Sequence, residues 1–243
     1  MHARPASASH STHYRVVPVV SLLAASVLLA AGVNAGTVWL PGAEGISNVP
    51  VRSIQERKFD RVVRQEYDFS CGSAALATLL TFHYDEATDE QAPFRWMFDR
   101  GDQDKIARVG FSLLDMKNYL ADAGYEADGY KATLDTLVEA SVPAIALISV
   151  RGYRHFVVVK GIRDGNVLLG DPALGLRKMS TEEFNDSWDN GILFIIRNRA
   201  DVGGKNFSTV AEWSRIPRAP MGLALSEDGL ASVTVNLPGF NVF

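Results

Sequence analysis

The fold is decided by residues 65–83, which read QEYDFSCGSAALATLLTFH and carry the single cysteine of the 243-residue chain. From Cys71 to His83 the apolar residues recur at helical spacing, so we predict one helix whose apolar stripe faces the core. Cys71 would stand at the helix N-terminus, where unpaired backbone N–H groups and the helix dipole favour a thiolate over a thiol. The alternative is a buried, inert cysteine, which is common in protein cores.

Few histidines are available as partners for such a thiol. Beyond residue 35 the chain contains only His83 and His155. His83 ends the predicted helix, roughly 18 Å along its axis from Cys71, so we interpret it as a surface or helix-ending residue. His155 precedes the apolar run FVVV at 156–159, where strand alternation can aim its side chain toward a cleft. His155 is therefore the candidate general base, although a lone histidine in an apolar strand is often structural.

An acid and an amide complete the candidate set. Asp171 follows His155 across one predicted hairpin, so two adjacent antiparallel strands can bring them together; a plain turn residue is the alternative. Gln65 precedes Cys71 by six residues. Its amide can donate, with the backbone N–H of Cys71, to the oxygen that becomes negative during acyl transfer. Cysteine, histidine and an orienting acid, in that order, are the parts of a thiol acyl-transfer enzyme.

The chain divides into four predicted parts. Residues 1–35 have a basic start, a long uncharged stretch and small residues at the end, which is typical of an export signal. An uncleaved membrane anchor is the alternative, because about 18 apolar residues can span a bilayer. We predict a linker or extended arm at 36–53 and a mixed α/β domain at 54–199, long enough to bury its own core. A C-terminal extension at 200–243 would be an added edge strand or a disordered tail.

Charge and cysteine content limit the expected partners and compartment. The formal net charge is −4, and removal of Arg4 and Arg15 with the signal makes it −6. We therefore expect no nucleic-acid partner, and membrane contact only through an uncleaved N-terminal segment. A single cysteine cannot form an internal disulfide, so an unpaired thiol in an oxidising compartment needs a functional reason. The predicted location is the periplasm.

Hydrophobic patterning predicts helices first and a sheet second. Residues 84–110 look charged and irregular, but an aromatic-rich group within them is either a satellite core or a substrate-contacting lid: Phe94, Trp96, Met97 and Phe98. Further helices are predicted at 112–123 and 133–140, strands at 144–150, 155–160, 167–169 and 192–197, and a short helix capped by Ser180. This order indicates an α+β fold, with an N-terminal helical part packed on a C-terminal antiparallel sheet.

The segment from Gln65 to Ala75, His155 with its FVVV run, and Asp171-Pro172 resemble the C39 peptidases. These are papain-fold thiol proteases that remove double-glycine leader peptides, usually as domains of ABC exporters. The resemblance covers about residues 60–197. It implies that Cys71 is the nucleophile, His155 the general base, Asp171 the orienting acid and Gln65 the oxyanion-hole donor, with no cofactor or metal.

Two features depart from the usual C39 pattern. Ser73 stands where the family commonly has proline, and the chain contains no phosphate-binding GxxxxGK[ST] motif of an ATP-driven transporter. A stand-alone, exported member is similar to the periplasmic C39 proteases of bacterial functional-amyloid (Fap-type) secretion systems. That similarity implies a peptide or protein substrate, such as an amyloid-secretion component.

The resemblance also implies cleavage after paired glycines. We expect Tyr153 to narrow the cleft, together with Trp96 and Phe98 if their segment folds over as a lid. Two other hypotheses stay open at this point. One is an amidase or transamidase on the same fold, since the same triad serves any acyl acceptor. The other is a non-catalytic peptide-binding module of a secretion system.

Overall fold

The computed structural model describes residues 37–42, 45–50 and 52–216. The predicted export signal at 1–35 and the end of the predicted extension, 217–243, lie outside these residues. Most of the predicted linker forms an antiparallel hairpin of β1 (Thr37–Gly42) and β2 (Gly45–Pro50). Within the described ranges, no helix combines the length and apolar character that crossing a membrane requires.

Helices and strands then follow in the predicted general order. The helices are α1 (Ile54–Lys58), α2 (Cys71–His83), α3 (Gln91–Arg100), α4 (Gln103–Val109), α5 (Leu113–Asp122), α6 (Leu134–Ala140), α7 (Thr181–Ser187), α8 (Ala200–Gly204) and α9 (Val210–Ser214). The strands are β3 (Ala127–Lys131), β4 (Ala144–Val150), β5 (Tyr153–Arg163), β6 (Asn166–Asp171), β7 (Gly175–Ser180) and β8 (Trp188–Ile196).

One six-stranded sheet organises this part of the chain. Its strand order is β3-β8-β4-β5-β6-β7, and each neighbouring pair is antiparallel. Alternate residues of β5 enter two different cores: Phe156 and Val158 pack with α2, α3 and α5, whereas Val157 and Val159 pack with α6 and α7. Helices thus cover both faces of the sheet, and the α+β class is confirmed.

Helix α2 occupies the centre of the first core. The predicted apolar stripe is wider than expected, because every residue from Cys71 to Leu80 is buried. Small side chains make this possible: a Cβ atom at Gly72 would already lie 3.1 Å from the Cβ of Phe111. Thr78 is accommodated because its hydroxyl oxygen accepts a 2.9 Å hydrogen bond from the backbone N–H of Val63. Burial on all sides fixes the position of the Cys71 end.

The stretch predicted as irregular, 84–110, contains the helices α3 and α4, so that prediction was wrong. Its helix signals are local and polar. Asp102 caps α4 by accepting from the backbone N–H of Lys105, and Pro93 lies in the first turn of α3, where proline is tolerated. Met97 is buried in the first core. Three partly buried aromatic residues pack against this core: Phe94, Trp96 and Phe98.

The described part of the predicted C-terminal extension packs against the sheet. Phe207 is buried in the second core. Ser208 donates its backbone N–H to the carbonyl of Lys160 at 2.9 Å, and its hydroxyl bonds both backbone groups of Ile162. These bonds fall where β5 and β6 shift register, between Val159 and Gly161. The segment therefore completes hydrogen bonding at an irregular part of the sheet.

Candidate active site

Cys71 is the first residue of α2 and lines a cavity of about 960 Å³. Its side chain is almost covered, with the residue 7 % exposed. The loop before it is held by the buried carboxylate of Glu90, which accepts hydrogen bonds from the Ser70 hydroxyl and from the backbone N–H of Glu66. The thiol is thereby presented to the cavity from a rigid loop-to-helix junction.

The pKa of the Cys71 thiol is raised, whereas its position at a helix N-terminus had led us to expect a thiolate. Burial raises the pKa of the thiol, and this effect outweighs the backbone groups of Phe156 and Gly72, which lower it. The helix N-terminus thus helps the thiolate without making it the resting form. Because a protonated thiol is a poor nucleophile, Cys71 needs a nearby base to take its proton.

His155 and Asp171 form a buried hydrogen-bonded pair. The Nε2 atom of His155 lies 3.1 Å from Oδ2 of Asp171, and both side chains are nearly inaccessible to solvent. The strands β5 and β6 bring them together, as predicted, with Val158 opposite Gly170 in the same ladder. Burial raises the pKa of the Asp171 carboxyl, but the His155 hydrogen bond and the neighbouring positive charges outweigh it, so the net shift is downward.

The other ring nitrogen of His155, Nδ1, is buried and has no hydrogen-bond partner among residues 52–216. His155 lines the same cavity as Cys71, so this nitrogen is available for proton exchange with the thiol or a substrate. Tyr153 stacks on the imidazole with ring centroids 5.1 Å apart, and its hydroxyl donates to the Asp68 carbonyl at 3.1 Å. The stacked ring limits rotation of the imidazole and shields it from water.

Gln65 lies beside the hairpin that carries Asp171. Its backbone N–H donates to the carbonyl of Pro172 at 3.1 Å, and its side-chain Nε2 donates to the carbonyl of Tyr67 at 3.0 Å. An amide nitrogen carries two N–H groups, so the bond to Tyr67 leaves one of them unused. Gln65 itself is not among the residues that line the cavity. The role of Gln65 as oxyanion donor stays a prediction.

Two sequence-based interpretations need correction. Trp96 and Phe98 do not form a lid: Trp96 donates its ring N–H to Asp122 at 2.8 Å, and Phe98 stacks on Phe94. The cavity wall is made instead by α4 and the turn after it, between Asp102 and Asp115.

His83 does end α2, as predicted, but it is fully buried and not a surface residue. Burial lowers its pKa well below 6.5, and the positive charge of Lys160 lowers it further. A neutral histidine at this end of the helix, distant from the thiol, fits the prediction that His83 is not the base.

One charged contact of the site was not anticipated. The Nε atom of Arg177 lies 3.0 Å from the same Oδ2 atom of Asp171 that faces His155. The sequence did contain a signal for it, because Arg177 follows Asp171 by six residues across a turn containing Pro172 and Gly175. A tight hairpin at this turn places Arg177 beside the end of β6, its partner strand.

Comparison with known proteins agrees with this geometry. The sequence model of the Peptidase C39 family matches residues 60–200. The chain belongs to the C39 peptidase family. It is a cysteine peptidase, a hydrolase that acts on peptide bonds. The resemblance seen in the Gln65–Ala75 segment is thereby confirmed, and the hypothesis of a non-catalytic module loses its support.

Two relatives of this C39 peptidase are each named "Probable functional amyloid protease FapD". The protein from Pseudomonas fluorescens is 42 % identical over 170 residues, covering 67 % of this chain and 74 % of the relative. The protein from Pseudomonas aeruginosa is 41 % identical over 178 residues, covering 73 % and 78 %. The solved peptidase domain of Streptococcus ComA is 22 % identical, with a TM-score of 0.48, covering 56 % of this chain and 96 % of that domain.

Proposed function

We propose that this C39 peptidase is an exported endopeptidase that cleaves after paired glycines in a secreted or secretion-system protein. The observation that carries the proposal is the shared cavity: it is lined by Cys71 at a helix N-terminus and by His155, which is hydrogen-bonded to Asp171. The names of the two Pseudomonas relatives support a component of functional-amyloid secretion as the substrate.

In the proposed reaction, Nδ1 of His155 takes the proton of the Cys71 thiol, and the thiolate attacks the peptide carbonyl carbon. The backbone N–H of Cys71 and the Gln65 amide stabilise the resulting oxyanion. As the C–N bond breaks, His155 gives its proton to the leaving amine, and a thioester forms. His155 then takes a proton from water, and the water oxygen attacks the thioester carbon. As the C–S bond breaks, His155 returns that proton to the Cys71 sulfur, and the product acid loses its own proton to solvent. Asp171 orients the imidazole throughout.

The preference for glycine follows from how little of Cys71 is exposed. A side chain on the residue before the scissile bond would have to fit between the nearly buried thiol and the surrounding rings of Tyr153 and Phe156. Glycine has no side chain and adopts extended or left-handed backbone equally well. The family resemblance points to the same cleavage position.

A peptide library tests the cleavage position directly. The full chain is incubated with the library, and the new termini are identified by mass spectrometry, with Cys71→Ala as the matched control. Cuts after Gly-Gly that are absent from the control are expected. Efficient cuts after bulky or basic residues, with Gly-Gly sites left intact, would overturn the specificity. Transfer of the acyl group to an added amine, without hydrolysis, would indicate a transamidase.

Export is the second component of the proposal. It is supported by the basic start, the uncharged stretch and the small residues of 1–35. Expression of the full chain in a Gram-negative host, followed by fractionation and N-terminal sequencing, provides the test. A periplasmic product starting near Gly36 is expected. A full-length product in the cytoplasm would contradict export, and a full-length membrane-bound product would indicate an uncleaved anchor.

A further inference from the structure

Each oxygen of the Asp171 carboxylate lies within hydrogen-bond distance of two donors. Its Oδ1 atom accepts from the backbone N–H groups of Ala173, at 3.0 Å, and Leu174, at 3.1 Å. Its Oδ2 atom is shared by His155 Nε2, at 3.1 Å, and Arg177 Nε, at 3.0 Å. The two backbone donors fix one oxygen in the turn, so the direction of the other depends on the two side chains that share it.

Arg177 is placed for this contact by the sheet. It lies on β7 opposite Leu169 of β6, two residues before Asp171, and its side chain is 22 % exposed while Asp171 is fully buried. The adjacent Lys178 is exposed and takes part in no ion pair among residues 52–216. Arg177 is therefore the basic residue of this strand that faces the site.

The charge of Arg177 matters because His155 must both accept and release a proton. Burial strengthens the attraction between the Asp171 carboxylate and any positive group beside it. An imidazole that holds its proton too tightly is a poor acid toward the leaving amine. The positive guanidinium of Arg177 on the same carboxylate oxygen weakens the attraction of Asp171 for a protonated imidazole. It leaves the hydrogen bond that orients the ring in place.

We propose that Arg177 is a positioning residue of this peptidase: it fixes the Asp171 carboxylate and moderates the proton affinity of the His155–Asp171 pair. The inference rests on the catalytic roles proposed above for those two residues. Apart from Arg177, the titratable groups next to the imidazole are Cys71 from α2 and Tyr153 from β5, with Asp68 in the loop before the helix. None of these contacts the shared carboxylate oxygen.

The main test is the titration of the His155 ring by NMR in the full chain carrying Cys71→Ala, which needs no substrate. The ring signal is assigned by its loss in His155→Gln. Adding Arg177→Met removes a positive charge from the shared carboxylate oxygen, so the midpoint of the ring titration should rise. Adding Lys178→Met, the matched control, should leave it unchanged. An unchanged midpoint in Arg177→Met would overturn the proposal.

Kinetics separate positioning from a merely structural role. In chains with Cys71 intact, Arg177→Met should lower kcat about tenfold or more. It should also move the acidic limb of the pH profile upward, because His155 must be unprotonated to take the thiol proton. Arg177→Lys keeps the charge but not the planar guanidinium, so it should restore the limb position and only part of kcat. Arg177→Lys also serves if Arg177→Met fails to fold. Because Arg177→Lys keeps the charge, a partial loss of kcat with an unshifted ring titration is expected, and an unchanged kcat would contradict the positioning role. If the ring titration shifts as expected but the chain does not cleave after Gly-Gly, the proposed substrate is contradicted and the proposed role of Arg177 is not.

Discussion

At the scale of single residues, the proposed nucleophile is a buried thiol and the proposed base is held by two neighbouring side chains. The pKa of the Cys71 thiol is raised by burial, so its activation depends on proton transfer to His155. The base is supported on two sides, by Asp171 at Nε2 and by the stacked ring of Tyr153. Chemistry at this site therefore needs the histidine and its partners as much as the cysteine.

Replacement of Cys71 should separate folding from activity. Cys71→Ala removes only the thiol from a helix start that tolerates alanine, so the protein should fold while peptide cleavage disappears. Cys71→Ser should be nearly inactive, since the hydroxyl is a much weaker nucleophile at neutral pH. Circular dichroism and a peptide-cleavage assay measure the two properties. Turnover near that of the unsubstituted chain in purified Cys71→Ala would exclude a thiol mechanism.

Replacement of Gln65 should lower kcat and leave KM nearly unchanged. If its free N–H donates to the oxyanion, Gln65→Ala should lower kcat by about 10²–10³-fold with little change in KM, the usual scale for one such donor. Gln91→Ala is the control, because that amide bonds Glu66 on the outside of the same loop. A variant Gln65→Ala that raises KM alone would show that the residue binds substrate instead.

The sequence predicted the site better than its supporting contacts. Cys71, His155 and Asp171 were identifiable because each residue type is scarce or stands at the end of an apolar run. Their partners were not identified. The role of Glu90 exists only after loops distant in sequence pack together, and Arg177 was overlooked although a turn signal separates it from Asp171. Burial of the thiol likewise depends on the finished core, so its effect on reactivity could not be anticipated.

At the scale of elements, the β6–β7 hairpin carries both Asp171 and Arg177 and is closed by a glycine. Gly175 has a φ of +80° and pairs with Asp171 across the turn. A Cβ atom there would lie 2.6 Å from the Cβ of Lys58 and 2.8 Å from its carbonyl oxygen. Helix α1 therefore packs against the turn so closely that only glycine fits.

Gly175→Ala should disturb stability and activity together. The left-handed backbone alone costs an alanine roughly 1–2 kcal/mol, and the contact with the Lys58 backbone adds to this cost. Gly165→Ala is the control, because that glycine has a φ of +68° with nothing within 4 Å of its added Cβ. Urea unfolding should show a larger loss for Gly175→Ala, and kcat should fall only in that variant. Equal losses with unchanged kcat would mean that the hairpin does not position Asp171.

Two elements with long apolar runs were predicted with their observed ends. The ends of α2 and β4 coincide with the structure, because long apolar patterns leave little freedom in where each element starts. By contrast, α4 and the edge strand β3 are polar and exposed, with little apolar pattern of their own. They form because caps and neighbouring strands complete their hydrogen bonds, which is a property of the assembled fold.

At the scale of the whole molecule, a buried ion cluster joins the C-terminal segment to the sheet. Lys160 is fully buried, and its Nζ lies 3.3 Å from Oε2 of Glu212 on α9. Glu212 also accepts from Arg61 at 2.6 Å. Burial lowers the pKa of Lys160 to about 8, although the charge of Glu212 opposes that shift. Residues far apart in the chain therefore depend on one another for their charge balance.

Replacement of Glu212 and replacement of Lys160 should have opposite effects on the free energy of unfolding. Glu212→Gln leaves the buried Lys160 beside the partly exposed Arg61 without a countercharge, which should cost about 3–5 kcal/mol of unfolding free energy. Lys160→Met keeps the Arg61–Glu212 pair and replaces a buried cation by an apolar side chain of similar length. That variant should be at least as stable as the unsubstituted chain at pH 7. Urea unfolding at pH 7 measures both, and a severe loss in Lys160→Met would contradict the scheme.

The pH dependence of stability gives the sharper test. Because the folded pKa of Lys160 is about 8 and its unfolded value 10.5, the unfolded chain binds more protons between those values. Stability conferred by this residue should therefore rise with pH across that window, by on the order of 3 kcal/mol. Below pH 8 the lysine is protonated in both states and contributes no slope. The difference in unfolding free energy between the unsubstituted chain and Lys160→Met isolates this contribution from the other groups that titrate there. Lys178→Met, which removes an exposed lysine, is the control, and its difference in unfolding free energy should not change with pH. If the difference for Lys160→Met does not change with pH either, Lys160 is not held in a buried site that disfavours its charge.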